Sequence, residues 1–362
     1  MPVFTASQLM ETACRLLEAV DVPAEEARII AGSLVESNLR GHDSHGVLQL
    51  PRYLREVQEG QVIPRARLEV EREAAGTLLL DGCHSNGHVV GRWATQRAIE
   101  KAQTHGTATV AMHRSGHLGR LGAYPEMAAA AHCVAVATVN NHGSGILMAP
   151  WGGLDRRLSP NPIAIAAPTG GPFCLSLDMT CSVVAGGKIQ VQHQRGEPCP
   201  PGWILDAQGR PTTDPAAFFA SPGGAILPLG GEVAGHKGYG LGFMLDVLAG
   251  ALSGAGCSGT NQFSHANALF LTVTAIENFV PLEEFTAQVQ ALIAHVKASP
   301  KAEGCSEILV PGEREAREKE RRLKEGIGIE EATWKMIEAW ARKLGVTEFL
   351  PRTNTEATVP LP

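Results

Sequence analysis

The segment Gly41-His42-Asp43-Ser44-His45-Gly46 gathers two imidazoles, a carboxylate and a hydroxyl. Histidine titrates near neutral pH, so a loop His45 beside Ser44 suits a proton donor or acceptor. The same pattern is met where one histidine caps a helix or lies exposed. A zinc reading of His42 and His45 is poorer: the chain has no His-Glu-x-x-His and no Cys/His quartet, and spacings such as His113/His117 or His84/His88 are too common to count. The dinucleotide fingerprint G-x-G-x-x-G is absent. Its nearest counterpart, Ser115-Gly116-His117-Leu118-Gly119-Arg120-Leu121-Gly122, repeats glycine every third residue instead. It can offer backbone N–H groups and Arg120 to an anion at a helix N-terminus, or serve as a plain strand-to-helix turn. Asp178-Met179-Thr180 ends an apolar run, Gly186-Gly187-Lys188 follows it, and Gly235-His236-Lys237-Gly238-Tyr239-Gly240 opens an apolar helix. An acid at a strand end accepts from ribose hydroxyls or backbone, and a glycine-flanked lysine suits a phosphate or carboxylate. Together these motifs outline an anion-rich ligand held by glycine turns, although each alone also reads as a turn or surface segment.

The elements that must carry these residues follow from periodicity. Thr5 or Ser7 caps a helix with Leu9, Cys14, Leu16, Leu17 and Val20 near a 3.6 period. A second helix spans Ala24 to Asn38, and a third about Leu48 to Glu59, stopping at Gly60. Strand-like runs occupy Gly76–Leu80, Ala108–His113, Val134–Asn140, Ile163–Ala167 and Leu175–Asp178. Helices Gly87–Thr104 and Gly122–His132 join the first three, a β-α-β-α-β order that argues for an α/β core. Arg195–Pro215, rich in Pro, Gly and polar turns, reads as a surface excursion. Gly238–Ser253 returns to helix, Leu269–Thr274 to strand, and Pro281–Ala298 to helix. Glu313–Glu325 alternates charge as a solvated helix, Glu330–Leu344 is the last helix, and a loose tail begins near Pro351.

Composition bounds the function. The 362 residues suggest two or three units at about 100–200 residues each. With 44% apolar and 19% charged residues, neither disorder nor a membrane class is favoured. A net charge of −6 leaves no basic excess for a nucleic-acid backbone. Forty glycines among so few aromatics mark tight turns, the profile of a soluble enzyme. The eight scattered cysteines read as reduced, small hydrophobes. Without a signal-peptide pattern or a long apolar span, the expected compartment is the cytoplasm.

Taken in order, Gly-His-Asp-Ser-His-Gly at 41–46 with Pro51-Arg52-Tyr53, Ser-Gly-His-Leu-Gly-Arg at 115–120, Ala-Pro-Trp-Gly-Gly at 149–153, Asn161-Pro162, Leu-Asp-Met-Thr at 177–180, Gly-His-Lys-Gly-Tyr-Gly at 235–240 and Pro-Gly-Glu at 311–313 resemble the second malate/L-lactate dehydrogenase family. The likeness covers roughly residues 5–345, and the segments at 200–215 and 297–300 resemble its hydroxycarboxylate dehydrogenase B branch. The resemblance implies a non-Rossmann, mixed-sheet α/β nucleotide-binding domain flanked by a helical lobe built from both chain ends. Its expected parts are 1–72 and 281–346 for the lobe, 73–280 for the NAD(P)-binding and catalytic core, and 347–362 for the tail. Members are typically homodimers with the active site near the subunit interface.

Carried over by position, His45 matches the proton-exchanging histidine, Ser44 the hydroxyl orienting it, and His117 a second histidine that some members are proposed to use as acid/base. Cofactor contacts fall on His45, Gly119, Arg120, Leu121, Ser176, Leu177, Asp178, Met179, Thr180, His236, Lys237, Asn267, Gly312, Glu313, Arg314 and Glu315, and no metal is implied. Substrate contacts fall on Gln49, Arg52, Tyr53, Asn161 and Lys188. Two departures bear on substrate. Gln49 stands where many members carry a carboxylate-pairing arginine, and Ser159-Pro160-Asn161-Pro162 replaces Gly-Thr-Asn-Pro. The implied activity is an NAD(P)-dependent interconversion of 2-hydroxy and 2-oxo acids. Alternatives on the same fold are a reductase of cyclic or N-alkyl imino acids and a ureidoglycolate-type dehydrogenase. A binding protein without turnover is the rival from another class, and the intact Ser44-His45 pair counts against it. Nothing in these motifs chooses between NAD and NADP.

Overall fold

The computed structural model describes residues 1–65, 68–141, 145–260 and 266–351. The chain begins with β1 (Val3–Phe4) and α1 (Ala6–Glu18), whose first turn is closed by a reciprocal Thr5–Gln8 capping box. Helices α2 (Ala24–Leu39) and α3 (Leu50–Gln58) follow, separated by two 3₁₀ turns, Asp43–His45 and Val47–Gln49. Then come β2 (Glu69–Ala74), β3 (Thr77–Asp81), α4 (Gly87–His105), β4 (Thr107–Ser115), α5 (Ala123–Ala130), β5 (Cys133–Asn140), β6 (Pro162–Ala167) and β7 (Leu175–Thr180). A smaller region holds α6 (Gly186–Arg195), β8 (Ile204–Leu205), β9 (Pro211–Thr212), α7 (Pro215–Phe219) and β10 (Ala225–Ile226). Helix α8 (Gly231–Asp246) runs on into a π turn, Val247–Ala251, ahead of β11 (Asn267–Ala275), α9 (Leu282–Lys297), α10 (Glu313–Glu325), β12 (Ile327–Gly328) and α11 (Glu331–Leu344).

The main sheet has the order β2-β3-β4-β11-β5-β6-β7. Only β3 and β4 run parallel; the remaining neighbours are antiparallel. The α/β class with a mixed sheet is therefore as expected. Linear order could not show that the late strand β11 enters between β4 and β5. Helices α4 and α5 cover the sheet, and Leu80, Ala98, Val110, Ala128, Ala137 and Leu271 form its buried core.

A second core belongs to the lobe and draws on both chain ends: Phe4, Leu17, Leu34 and Leu54 pack with Ile327, Trp334 and Ile337. The pairing of β1 with β12 and the Phe4–Trp334 ring contact close it. Helix α9 lies against the β6–β7 connection instead, where Gln290 donates to the Thr169 carbonyl at 2.8 Å. The expected division at residue 72/73 falls inside β2. That strand escapes the sequence pattern because all its residues are exposed at a sheet edge, so no alternation is imposed.

Arg195–Pro215 is more than a surface excursion. It contributes β8 and β9 to a three-stranded sheet over its own core of Val184, Ile189, Cys199, Ile204 and Phe218. Helix α8 starts at Gly231, earlier than the expected Gly238, with a kink at Ala234. Of the tail expected from 347, Thr347–Phe349 forms a 3₁₀ turn whose Phe349 carbonyl accepts from Thr12, while 352–362 lie outside the described residues.

Candidate active site

The histidine loop leaves the end of α2 and is fixed by its neighbours. Asn38 accepts from the Val47 N–H at 2.8 Å and donates to Asp43 at 2.7 Å. Gly46 is required there, since a Cβ would fall 2.2 Å from the Asn38 amide oxygen. Arg322 of α10 grips both Asp43 oxygens at 2.6 and 3.0 Å and also donates to the Asn38 carbonyl. Arg322 carries no mark in the sequence because Asp43 lies 279 residues away, and Asn38 because its bonds form inside an aperiodic loop.

On this frame the Ser44 hydroxyl lies 3.1 Å from His45 Nδ1. The His45 ring stacks on His117, with centroids 5.9 Å apart and planes inclined by 11°. His117 Nδ1 is 2.7 Å from the hydroxyl of Tyr53 on α3. Each imidazole thus spends Nδ1 on a hydroxyl, leaving Nε2 as the atom that can trade a proton with a bound oxygen. Burial, then the nearby Arg120 charge, holds His45 below the usual imidazole range. Burial depresses His117 further, aided by Arg52, His45 and His88. Both rings are therefore neutral at neutral pH.

His117 is delivered by the end of β4. The 82–85 loop shadows that end through backbone bonds: the Gly82 N–H donates to His113, His84 to Arg114, and the Gly116 N–H to Ser85. Cys83, His84 and Arg114 adopt left-handed backbone conformations here, a local strain that the bonding offsets. Asn267, at the start of β11, braces the turn: its side chain accepts from the Leu118 N–H, and its carbonyl accepts from the Ser115 hydroxyl.

Arg120 is placed differently from the sequence expectation. It is buried, and its guanidinium is engaged by both oxygens of Glu126 on α5 at 2.8 and 2.7 Å. Burial opposes the charge, but Glu126 more than restores it and raises the Arg120 pKa. Glu126 also accepts from Ser176 on β7 and lies 3.5 Å from Arg40, so it is the hub of the turn. No local pattern marks it, a single acid in an alanine-rich helix. Asp178 accepts from the Gly122 N–H at 2.7 Å. Its carboxyl is pushed up by burial against that bond.

Several other expected residues gather at this seam. Gln49 donates to the Ser44 carbonyl at 2.8 Å, and Arg52 pairs with Glu56 while lying close enough to His117 to disfavour its protonation. Leu121 is buried in the sheet core. Gly312 crosses β7 so closely that a Cβ would meet the Cys174 carbonyl oxygen at 2.6 Å. Glu315 reaches His42 at 4.0 Å, while Arg314 is exposed. Leu177 and Met179 occupy β7, where Thr180 bonds Ser182.

Others have different duties. Glu313 is buried against Lys297 and Arg317, an ion cluster that anchors α10. Asn161 is fully buried and donates to Asp246, with Asn140 and the Ser258 N–H on the same carboxylate. Lys188 is exposed on α6, and His236 and Lys237 are exposed on α8, where His236 meets Trp151 edge-on.

Among the described residues, two groups have metal-ligand spacing, Glu69/Asp81/Cys83 and Glu71/Asp81/His113. They share Asp81, whose carboxylate is held by Arg114 and the Cys83 N–H. On the other side of the seam one observation suits a nucleotide's hydroxyl. Asp178 keeps one oxygen that takes no hydrogen bond among the described residues, suited to a hydroxyl. Gly119 and Gly122 press against the side chains of His88 and Arg120, and Gly312 against the Cys174 carbonyl, so these turns admit no larger residue.

A stacked imidazole pair at the seam of a mixed sheet and a helical lobe offers the groups that acid–base chemistry uses. Residues 4–338 match the family described as malate/L-lactate dehydrogenase, and the chain belongs to that family. It is 39% identical to the malate dehydrogenase of Pyrococcus abyssi over 347 residues, covering 94% of each chain. It is 38% identical to hydroxycarboxylate dehydrogenase B of Escherichia coli strain K12 over 328 residues, 90% of this chain and 89% of that one. The solved malate dehydrogenase of Pyrococcus horikoshii OT3 superposes with a TM-score of 0.86 at 37% identity, covering 96% of each chain. The protein is a 2-hydroxy acid dehydrogenase of this family.

Proposed function

We propose that the protein interconverts 2-hydroxy and 2-oxo acids with NAD(P) as hydride carrier, and that His45 exchanges the proton at the substrate oxygen. The single observation carrying this reading is the stacked His45–His117 pair, each ring anchored through Nδ1 by a hydroxyl. Arg120, Ser176, Asp178, Thr180 and the Gly312–Glu315 segment would hold the dinucleotide, which supplies the hydride when bound. Ser44 orients His45, its hydroxyl oxygen accepting from Nδ1–H in both protonation states. In reduction, the His45 imidazolium gives its Nε2 proton to the developing alkoxide. In oxidation, neutral Nε2 takes the proton from the 2-hydroxyl. Tyr53 holds His117 through Nδ1, and Arg52, the cation beside His117, would take a substrate carboxylate.

The chain works in this reading as a cytoplasmic homodimer. The exposed apolar face of α8 and its π turn, with Phe243, Met244, Val247 and Leu252, supports a second copy. The test is loss of reduced-nicotinamide absorbance with NADH and with NADPH across a panel of 2-oxo acids. An enzyme that oxidises neither cofactor with any of them would overturn the reading. Size measurement in solution tests the dimer.

A further inference from the structure

We propose that His88 is a positioning residue, an uncharged wedge that sets both the Gly119 turn and, through Tyr53, the orientation of His117. The proposal rests on the reading that His117 faces the substrate. Asn86 caps α4, and its side-chain oxygen accepts from the His88 backbone N–H at 3.0 Å. A backbone N–H only donates, which fixes the amide atom as oxygen. The same oxygen lies 3.2 Å from His88 Nδ1, so Nδ1 carries the ring proton and Nε2 keeps a bare lone pair.

That Nε2 is buried without a hydrogen-bond partner among the described residues. What it meets is Gly119, at φ +69°, where a Cβ would lie 2.3 Å from it. The Tyr53 ring lies edge-on to the imidazole at 5.3 Å and 69°. Tyr53 is 2% exposed, and its hydroxyl holds His117. One imidazole thus touches the turn that carries Arg120 and the phenol that orients a site histidine. A protonated His88 would point an N–H at the Gly119 backbone with no acceptor, so the fit requires the neutral ring. Burial, and then the neighbouring His45 whenever that ring is protonated, pushes its pKa down to about 3. Around His117, Arg52 and Tyr53 face it from α3, His45 from the 3₁₀ turn and His88 from α4.

The experiment compares His88→Ala and His88→Phe with the wild type by kcat, KM, pH–rate profile and NMR titration of His45 and His117 in the cofactor-free protein. His88→Ala, shown folded by circular dichroism, is expected to lower kcat by about 10–100-fold, the scale of a small misplacement at a reacting centre. It should also move the His117 titration upward toward the ordinary value of ~6.5, as water enters the vacated space. His88→Phe keeps the ring edge against Tyr53 and should recover most of kcat and of the titration shift. A folded His88→Ala with wild-type kcat and an unmoved His117 titration overturns the proposal, as does His88→Phe failing as badly as His88→Ala. Should His88→Ala not fold, Tyr53→Phe decides: an unmoved His117 titration overturns the link. If the wild type reduces no 2-oxo acid, the proposed function falls, and the NMR titrations still decide the positioning.

Discussion

The histidine loop and the glycine turn meet at one site but are held in opposite ways. The loop is fixed from outside, by Arg322 and Asn38 acting on Asp43 at a partly exposed surface. The turn is fixed from within, by a buried Arg120–Glu126 pair and the Asn267 brace. Ionic surface contacts are worth little and are screened by salt, whereas breaking a buried pair strands a charge. The loop can therefore adjust as protons come and go, while the turn must hold its shape.

Removing the loop's chemistry should give the largest effect. His45→Ala is expected to lower kcat by about 10²–10⁴, the usual share of general acid–base catalysis, with cofactor affinity little changed. Because burial and Arg120 depress the His45 pKa, the acid form needed for 2-oxo acid reduction is populated only below the ordinary ~6.5. Reductive kcat/KM should therefore fall as pH rises through that depressed value, and hydroxy acid oxidation should gain over the same range. If His45→Ala keeps most activity while His117→Ala abolishes it, the proton role passes to His117.

Breaking the turn comes next. Glu126→Ala leaves Arg120 buried without its partner and should cost roughly 3–5 kcal/mol of unfolding free energy, read by denaturant titration. Cofactor affinity should fall with it, since Ser176 and Arg40 lose the same carboxylate. Arg120→Ala strands Glu126 instead, so its effect on binding must be read beside its effect on stability. A Glu126→Ala protein as stable as the wild type would show that the turn does not depend on the pair.

Loosening the loop's frame should do less. Asn38→Ala leaves the buried Val47 N–H unpaired, at about 1–3 kcal/mol. Arg322→Ala removes a partly exposed ion pair worth about 1 kcal/mol or less. Both should reduce kcat several-fold, and the Arg322 effect should shrink as salt rises. Equal losses at low and high salt would place the loop's support elsewhere.

This contrast also marks what was legible in the sequence. The elements carrying His45, His117 and Asp178 were readable because each sits at the end of a strongly periodic helix or strand. Glu126, Arg322 and His88 are not, because Ser176, Asp43 and Tyr53 reach them from far away in the chain, and Asn38 is not because its bonds to Asp43 and Val47 form inside an aperiodic loop. Arg120 reads as a cation in the sequence, but no local pattern reveals that Glu126 already engages it. The edge strand β2 was missed because exposure on both faces erases alternation. The Asn161 network was missed for the opposite reason, as its polarity is satisfied wholly inside.

The smallest expected effect is on substrate choice, at the join of the two regions. Gln49 carries no charge, and its amide donates back to the Ser44 carbonyl, so it stiffens the loop rather than reaching out as a cation. Lys188 is exposed on α6 and Arg120 is engaged by Glu126, which leaves Arg52 as the cation beside His117. One cation serves one carboxylate. A dedicated dicarboxylate site needs a second, because a buried, unpaired carboxylate costs several kcal/mol. The expected profile is broad across 2-oxo acids, aromatic ones of the hydroxyphenylpyruvate type included, with oxaloacetate not singled out. Gln49→Arg should raise kcat/KM for oxaloacetate relative to pyruvate by about tenfold, some 1.4 kcal/mol. It should also lower kcat slightly, as the Ser44 carbonyl loses its donor. The measurement is kcat/KM for monocarboxylate, aromatic and dicarboxylate 2-oxo acids in both proteins. A wild type preferring oxaloacetate by more than about a hundredfold, near 2.7 kcal/mol, would mean that a second cation reaches the pocket, and the assignment to Arg52 alone would be wrong.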